Sequence, residues 1–319
     1  MYVQSECPCC LNRSFKSFLA LTSPFIAEFV LEEPPSPTAL LECKACHFRF
    51  FKHRFTDEEA TRLYQGYRGP DYFRVRNRFE PWYTKHINDS IGSNPVEIAV
   101  RKRLASGFIR SYIRNWKAGA VLDYGGDRGQ FIPDDIASDK YVFDISGAVP
   151  EAGVTALSSV TDLRKNRYDL IMLCHVLEHL SEPASILEEL RSLSTNSSAF
   201  YFVEVPYERF SMPFSSENAA LRWYLTAIGT MPAPILTAID FYSTAVRTKL
   251  ALVPPLGFPK LSEHINFFDV SSLTALLQRC GFEVVACRVM NQAKTTVGIQ
   301  GTLLCVARSI GPDRVRNCV

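Results

Sequence analysis

The stretch Val121-Leu122-Asp123-Tyr124-Gly125-Gly126-Asp127-Arg128-Gly129 decides the fold. A short apolar run ends in an acid and passes at once into a glycine-rich turn. A buried parallel strand delivers its C-terminal end to a nucleotide-like ligand in this way, because glycine accepts positive φ and lets a ligand approach bare backbone. A second run, Tyr141-Val142-Phe143-Asp144, also ends in an acid. Asp144 follows Asp123 by the roughly 20 residues that place an acid on ribose hydroxyls across one βαβ unit.

Further strands are expected over Tyr168–Leu173 and Ala199–Val205, beside Ala120–Asp123 and Lys140–Asp144. Helical segments separate them, notably Pro183–Leu193. Alternation of this kind predicts an α/β fold, a Rossmann-like parallel sheet with helices on both faces. Ligands of such sheets sit beyond the C-terminal strand ends, where Asp123, Asp144, Cys174 and Glu204 fall. Two ligand classes fit so far: a nicotinamide or flavin dinucleotide, and S-adenosylmethionine (SAM).

Ahead of this region, Cys7-Pro8-Cys9-Cys10 and Cys43-Lys44-Ala45-Cys46 form two C-x-x-C knuckles. Each sets two thiolates on one tight turn, and two such turns make a closed tetrahedral zinc site of the structural kind. Cys7, Cys10, Cys43 and Cys46 are the expected ligands. Cys9 or His47 could replace one of them, and free thiols are the alternative. Phe48–Phe51 reads as a closing strand, and Thr56 with Glu59 as a capping box. Arg74, Arg76 and Arg78 would share one face if their segment were a strand, able to meet a phosphate; a solvated linker is the competing reading.

The chain has ten cysteines, a net charge of +2 and 47% hydrophobic residues. That composition supports a sizeable globular core, and the near-neutral balance does not point to nucleic acid. Clustered thiols point to metal in a reducing cytoplasm. The N-terminal residues do not read as a signal peptide, and no apolar run reaches the roughly 18 residues of a membrane span.

The 121–129 stretch resembles motif I of class I SAM-dependent methyltransferases, an acid followed by Gly-x-Gly-x-Gly. Tyr168–Leu180, with its Val176-Leu177-Glu178-His179-Leu180 segment, is similar to that family's fourth strand and the turn after it. Glu204-Val205-Pro206 resembles the end of the fifth strand. Glu263–Phe268, Leu273–Gly281, Phe282–Val289 and Gly301–Ala307 resemble the segment before the last two strands and those strands, the final one antiparallel. The resemblance covers about residues 97–319. The cysteine knuckles resemble a zinc-ribbon-like module that precedes the catalytic domain in relatives acting on sugars and other small metabolites. Asp127 stands where the middle glycine usually falls. The nicotinamide fingerprint fits in no frame, since residue 128 is Arg and residue 130 is Gln.

The resemblance implies residues 1–75 as zinc module and linker, and residues 76–319 as the methyltransferase domain. It implies SAM and structural zinc as cofactors. Asp123, Gly125, Gly126, Gly129 and Cys174 would line the SAM pocket, Asp144 would take the ribose hydroxyls and Asp162 the adenine amine. A hydroxyl acceptor, or a carbon beside a carbonyl, also needs a base. His179 and His264 are the candidates, with Glu263 beside the second, at positions similar to those of zinc-knuckle sugar C-methyltransferases. Those relatives carry a tyrosine where this chain has Leu261, and a further C-terminal domain. The implied acceptor is a small molecule, with a nucleotide-activated sugar or another surface-polysaccharide precursor as the class the analogy points to. Rival readings are a methyltransferase of protein or nucleic acid, a scaffold without turnover, and a redox enzyme on a Rossmann core.

Two further features complete the expectations. His175-Val176-Leu177-Glu178-His179 formally matches the H-x-x-E-H zinc-protease motif, which needs both histidines and the glutamate on one helical face. Residues 207–260 form an insertion with two apolar helical segments, expected as a lid or cap over the strand ends. A dimer interface, or peripheral contact with a membrane carrying a lipid-linked substrate, are its alternatives.

Overall fold

The computed structural model describes residues 1–113, 117–193, 199–212, 217–291 and 301–310. The N-terminal region opens with β1 (Tyr2–Val3) and β2 (Phe15–Thr22). Then come α1 (Pro24–Ile26), running on into a π-helical turn over Ala27–Leu31, and β3 (Pro37–Cys43), β4 (Arg49–Phe51) and β5 (His53–Arg54). β2, β3 and β4 pair antiparallel in sequence order, and β1 pairs with β5. Phe48 and Phe50 stack on the face toward the central sheet, and Phe51 faces a second cluster with Phe25, Phe55 and Tyr72.

The chain then turns helical. α2 (Asp57–Tyr64) starts at the expected capping box of Thr56 and Glu59. α3 (Pro70–Phe79) corrects both readings of the arginine triplet, because Arg74, Arg76 and Arg78 lie on a helix. Gly69 and Pro70 begin it, and its apolar positions Tyr72, Val75 and Phe79 recur at helical spacing. Arg74 and Arg78 pair at the surface with Asp71 and Glu28, while Arg76 turns inward to Glu80 and Glu263. α4 (Lys85–Ser90) and α5 (Pro95–Tyr112) lead to the central sheet.

Its first strands are β6 (Ala118–Tyr124), β7 (Ala137–Phe143) and β8 (Thr155–Leu157). α6 (Val160–Lys165), β9 (Leu170–Cys174), α7 (Pro183–Ser192) and β10 (Phe200–Tyr207) follow. The insertion carries α8 (Ala219–Gly229) and α9 (Ala233–Leu250), after which come β11 (Lys260–Leu261), β12 (Asn266–Phe267), α10 (Val270–Arg279), β13 (Phe282–Asn291) and β14 (Gly301–Ser309). The seven-stranded order is β13-β14-β10-β9-β6-β7-β8. β6 to β10 run parallel, and β14 lies antiparallel between β10 and β13. The sheet is Rossmann-like, as the sequence predicts. Order reverses between β6 and β9, which opens a crevice at their C-terminal ends. Leu122, Ile171, Leu173 and Val203 are fully buried in its core, each worth about 1.5–3 kcal/mol of burial.

The N-terminal sheet is completed from far along the chain. Its order is β11-β2-β3-β4-β12, so residues 260–267 supply both edge strands. The insertion packs on the same sheet: Leu225, Ile228 and Leu236 bury against Leu19 and Leu21. Lys260 is nearly buried there, held by Glu80 at 2.5 Å and Asp240 at 2.7 Å. Among the described residues no helix is long and apolar enough to cross a membrane.

Candidate methyl-transfer site and cysteine centre

Both cysteine knuckles close in the same way. The amide of Leu11 donates to the carbonyl of Cys7 at 2.9 Å, and that of His47 to Cys43 at 3.0 Å. Leu11 and His47 both take left-handed backbone, with φ of 60° and 58°. The two turns face each other, with Sγ–Sγ distances of 3.5 Å for Cys7–Cys46 and for Cys10–Cys43. All four sulfurs lie within 4.8 Å of one another. Four Zn–S bonds of about 2.3 Å call for sulfurs about 3.8 Å apart, so the set fits a tetrahedral zinc ion. Cys9 is buried outside the quartet, and His47 is exposed outside it.

At the central sheet, Asp123 ends β6 and the glycine turn follows. Gly125 has φ +70°, and a Cβ there would lie 2.7 Å from Val176. A Cβ on Gly126 would overlap the Asp123 carboxylate. Asp127 takes the left-handed conformation of the glycine it replaces, φ 54°, a region that Asp tolerates better than most residues. Its amide donates to Asp144 Oδ2 at 2.8 Å, and Ser146 donates to Asp144 Oδ1 at 2.8 Å. Asp123 is fully buried with neither carboxylate oxygen hydrogen-bonded. Burial pushes its pKa up to about 7 against the pull of Arg101. A buried carboxyl without a hydrogen-bond partner is an acceptor set that an ammonium such as the one SAM carries would fit. Asp144, just past the end of β7, is held by the amides of Asp127 and Ser146.

Neighbouring strand ends carry a buried charge network that the sequence did not reveal. Arg101 on α5 forks onto Glu204 at 3.2 and 3.1 Å and covers the Phe131 ring. His175, in left-handed backbone after β9, bonds Glu178 through Nδ1 at 3.0 Å and lies 3.4 Å from Glu204. Burial and Arg101 pull the His175 pKa down, but the two carboxylates outweigh them and raise it to about 9. Cys174 is buried at the end of β9, where burial and the charges of Asp123 and Glu204 push its thiol up. Asp162 sits in the first turn of α6, taking hydrogen bonds from Ser158, Ser159 and Lys165.

The expected catalytic histidines do meet. His179 and His264 lie with ring centroids 4.8 Å apart, edge to face. His179 Nδ1 faces Tyr64 Oη at 3.0 Å and the Glu263 carbonyl at 3.1 Å. His264 Nδ1 bonds Glu208 at 2.9 Å, and Glu208 is held in turn by Arg247 of α9. Burial lowers the His179 pKa. It would lower that of His264 too, but the Glu208 carboxylate raises it above the usual histidine value. The Glu263 side chain does not join its neighbour His264. It accepts from Tyr72 and from Arg76 Nη1, the latter at 2.9 Å. Tyr72 thus gives Glu263 a phenol partner from another element, while Leu261 is buried in β11. Donor atoms of Glu178, His179 and His264 lie within 4.8 Å of each other. His175 is not of that group, and residues 175–180 form a turn rather than a helix, so the protease motif is a coincidence of spelling.

Sequence reasoning missed Tyr64, Tyr72, Arg101 and Glu208, and gave Arg76 a different role. None stands in a motif, and tertiary packing alone brings them in. With the geometry in view, a family profile described as "methyltransferase domain" matches residues 99–287, more than half of the chain. The chain belongs to that family. No curated protein matches this methyltransferase. Two of the solved structures that match are the following. The 1,6-didemethyltoxoflavin N1-methyltransferase of Burkholderia thailandensis, with its substrate and S-adenosylhomocysteine bound, is 12% identical with a TM-score of 0.43. That match covers 86% of this chain and 96% of the other. The magnesium protoporphyrin IX methyltransferase of Synechocystis, bound to S-adenosylhomocysteine, is 14% identical with a TM-score of 0.43, covering 78% and 99%.

Proposed function

We propose that this methyltransferase transfers the methyl group of SAM to a small-molecule acceptor, with a nucleotide-activated sugar or related polysaccharide precursor as the favoured class. The observation that carries the reading is the meeting of His179 and His264, the former in the same segment after β9 as the Val176 that packs on Gly125. When bound, SAM supplies an electrophilic methyl on a sulfonium. The chain's own residues then have to align the acceptor, exclude water and take its proton.

In this reading His264 is the base. Glu208 holds its Nδ1 and stabilises the imidazolium formed when Nε2 takes the proton, the role a carboxylate plays behind a catalytic histidine. His179, kept neutral by burial, orients the acceptor with Tyr64. Glu263, locked by Tyr72 and Arg76, fixes the backbone that carries His264. Asp123, Gly125, Gly126, Gly129, Asp144 and Cys174 form the cofactor wall. Asp162, whose carboxylate is already committed to Ser158, Ser159 and Lys165, is its weakest member.

Zinc in the Cys7–Cys10–Cys43–Cys46 set would stabilise the N-terminal module (residues 1–75) against which residues 76–319 are folded. Zinc and reduced thiols favour a cytoplasmic protein. The 207–260 insertion acts as a cap, because it delivers Glu208 to His264 and braces it with Arg247. The test is methyl transfer from labelled SAM to a panel of nucleotide-sugars, with native mass spectrometry of the same protein. One zinc and one SAM per chain with a labelled sugar product supports the whole reading. SAM binding with label only on protein or nucleic acid overturns the small-molecule acceptor.

A further inference from the structure

Glu178, His179 and His264 carry donor atoms that the methyl-transfer reading leaves partly unused. They come from two segments stitched together through backbone. The amides of Ile265 and Asn266 donate to the Glu178 carbonyl at 2.9 and 3.1 Å. The Asn266 side chain donates to the carbonyls of Leu177 and Leu180, each at 2.8 Å. On that frame, one donor atom from each of the three side chains lies within 4.8 Å of the other two.

The hydrogen bonds around the imidazoles decide which nitrogen each can offer. His179 Nδ1 lies 3.1 Å from the Glu263 carbonyl. A carbonyl only accepts, so Nδ1 carries the proton and Nε2 of the neutral ring carries the lone pair. His264 Nδ1 meets the Glu208 carboxylate at 2.9 Å, with the same consequence. A ring N–H given to a carbonyl or carboxylate is the usual support behind a metal-bound histidine. Glu178 completes the set. His175 Nδ1 donates to its Oε1 at 3.0 Å, and its Oε2 is buried without any hydrogen-bond partner. An anionic oxygen so placed is costly unless a cation meets it. Both imidazoles are only half-buried, which leaves the set open to an ion from solvent.

We infer that Glu178, His179 and His264 form a second metal site that takes one divalent transition-metal ion of the zinc class, and that filling it silences the base. Two imidazole nitrogens and one carboxylate oxygen are a donor set of open zinc sites. Tetrahedral bonds of about 2.1 Å place such donors about 3.4 Å apart, a gap that small rotations of the half-buried rings close. The site stands on its own geometry, whereas the silencing rests on the methyl-transfer reading. His264 Nε2 cannot hold a metal ion and also take the acceptor's proton, so ion and reaction compete for one atom. With three protein ligands in place of four thiolates, the second ion is the weaker one, and the protein carries one zinc until more is supplied.

The test is titration of the one-zinc full chain with zinc chloride, read by equilibrium dialysis and elemental analysis. Wild type should take up one further ion per chain. Glu208→Gln, which removes only the support behind His264, should weaken that ion by about 10–100-fold. Glu178→Gln and His179→Gln each remove a ligand, so they should weaken it further while keeping the first ion. Cobalt(II) at the second site should show a visible spectrum without thiolate-to-metal charge transfer. Methyl transfer should fall in step with filling. Wild type that stays at one ion overturns the site, as does a second ion unmoved by Glu178→Gln and His179→Gln. Thiolate charge transfer from the second cobalt assigns that ion to a spare cysteine and overturns the site too. A rate that holds or rises as the site fills overturns the silencing. Absence of methyl transfer by the one-zinc protein overturns the methyl-transfer reading and the silencing with it, while the titration alone decides the site.

Discussion

The cysteine centre and the histidine centre are built by opposite means. The first draws four donors from two identical local turns, each spelled by one C-x-x-C and closed by one left-handed residue. The second draws its groups from separate places: Tyr64, Tyr72 and Arg76, Glu178 and His179, Glu208, Arg247, and Glu263 with His264. The cysteine set is closed on itself, which suits a structural role. In the histidine set each imidazole spends Nδ1 on a protein partner. A site that holds the fold can be local and complete; one that handles an acceptor must be assembled and left unfinished.

The sharpest way to break that contrast is to open the closed centre. Cys43→Ala, or chelation, should remove zinc and the on-the-order-of 10 kcal/mol of binding free energy a structural ion supplies. Elemental analysis with thermal unfolding should show the N-terminal sheet lost first. Survival of an unchanged melting curve would make the thiols ordinary core residues. The converse change strikes the unfinished centre. His264→Gln should lower kcat by about 10²–10⁴-fold while zinc content and melting temperature stay near wild type. A loss of stability with little loss of rate would place His264 in the architecture instead.

Outside both centres, Lys260 is tied to Glu80 and Asp240 in near-complete burial. Lys260→Met leaves the buried Asp240 without a cation, while Glu80 keeps Arg76, and should destabilise by about 3–5 kcal/mol in denaturant titration. A neutral result would mean that the Asp240 carboxyl protonates without consequence.

The smallest effect is the most informative about mechanism. The base must be neutral, so kcat/KM should rise with pH through the His264 pKa, which Glu208 places above the usual histidine value. Glu208→Gln removes the raising partner and leaves burial, which lowers, so the limb should move to lower pH while the plateau falls. An unmoved limb would assign the proton to another group.

What the sequence made legible follows the same division. The strand-acid-glycine run at 121–129, the acid at 144, the knuckles and the Thr56 cap are all patterns within a few residues of chain, and the structure realises each. The arginine triplet went astray because alternation over 73–79 satisfies a strand and a helix alike, and the Gly69–Pro70 start tips it to helix. Glu208 carries no local signal, since what makes it matter is His264 more than fifty positions away.

The edge strands of the N-terminal sheet set the order in which this molecule can mature. When β2, β3 and β4 have left the ribosome, both flanks of that sheet still expose unpaired backbone, and the residues that cover them lie some two hundred positions downstream. Open edges invite pairing with other chains. Contacts of such range form late. The short cysteine loops, by contrast, can close as soon as they emerge, so metal capture would give the nascent chain a fixed seed while its borders wait. Zinc supply during synthesis, rather than zinc affinity of the finished protein, would then govern the yield of soluble product.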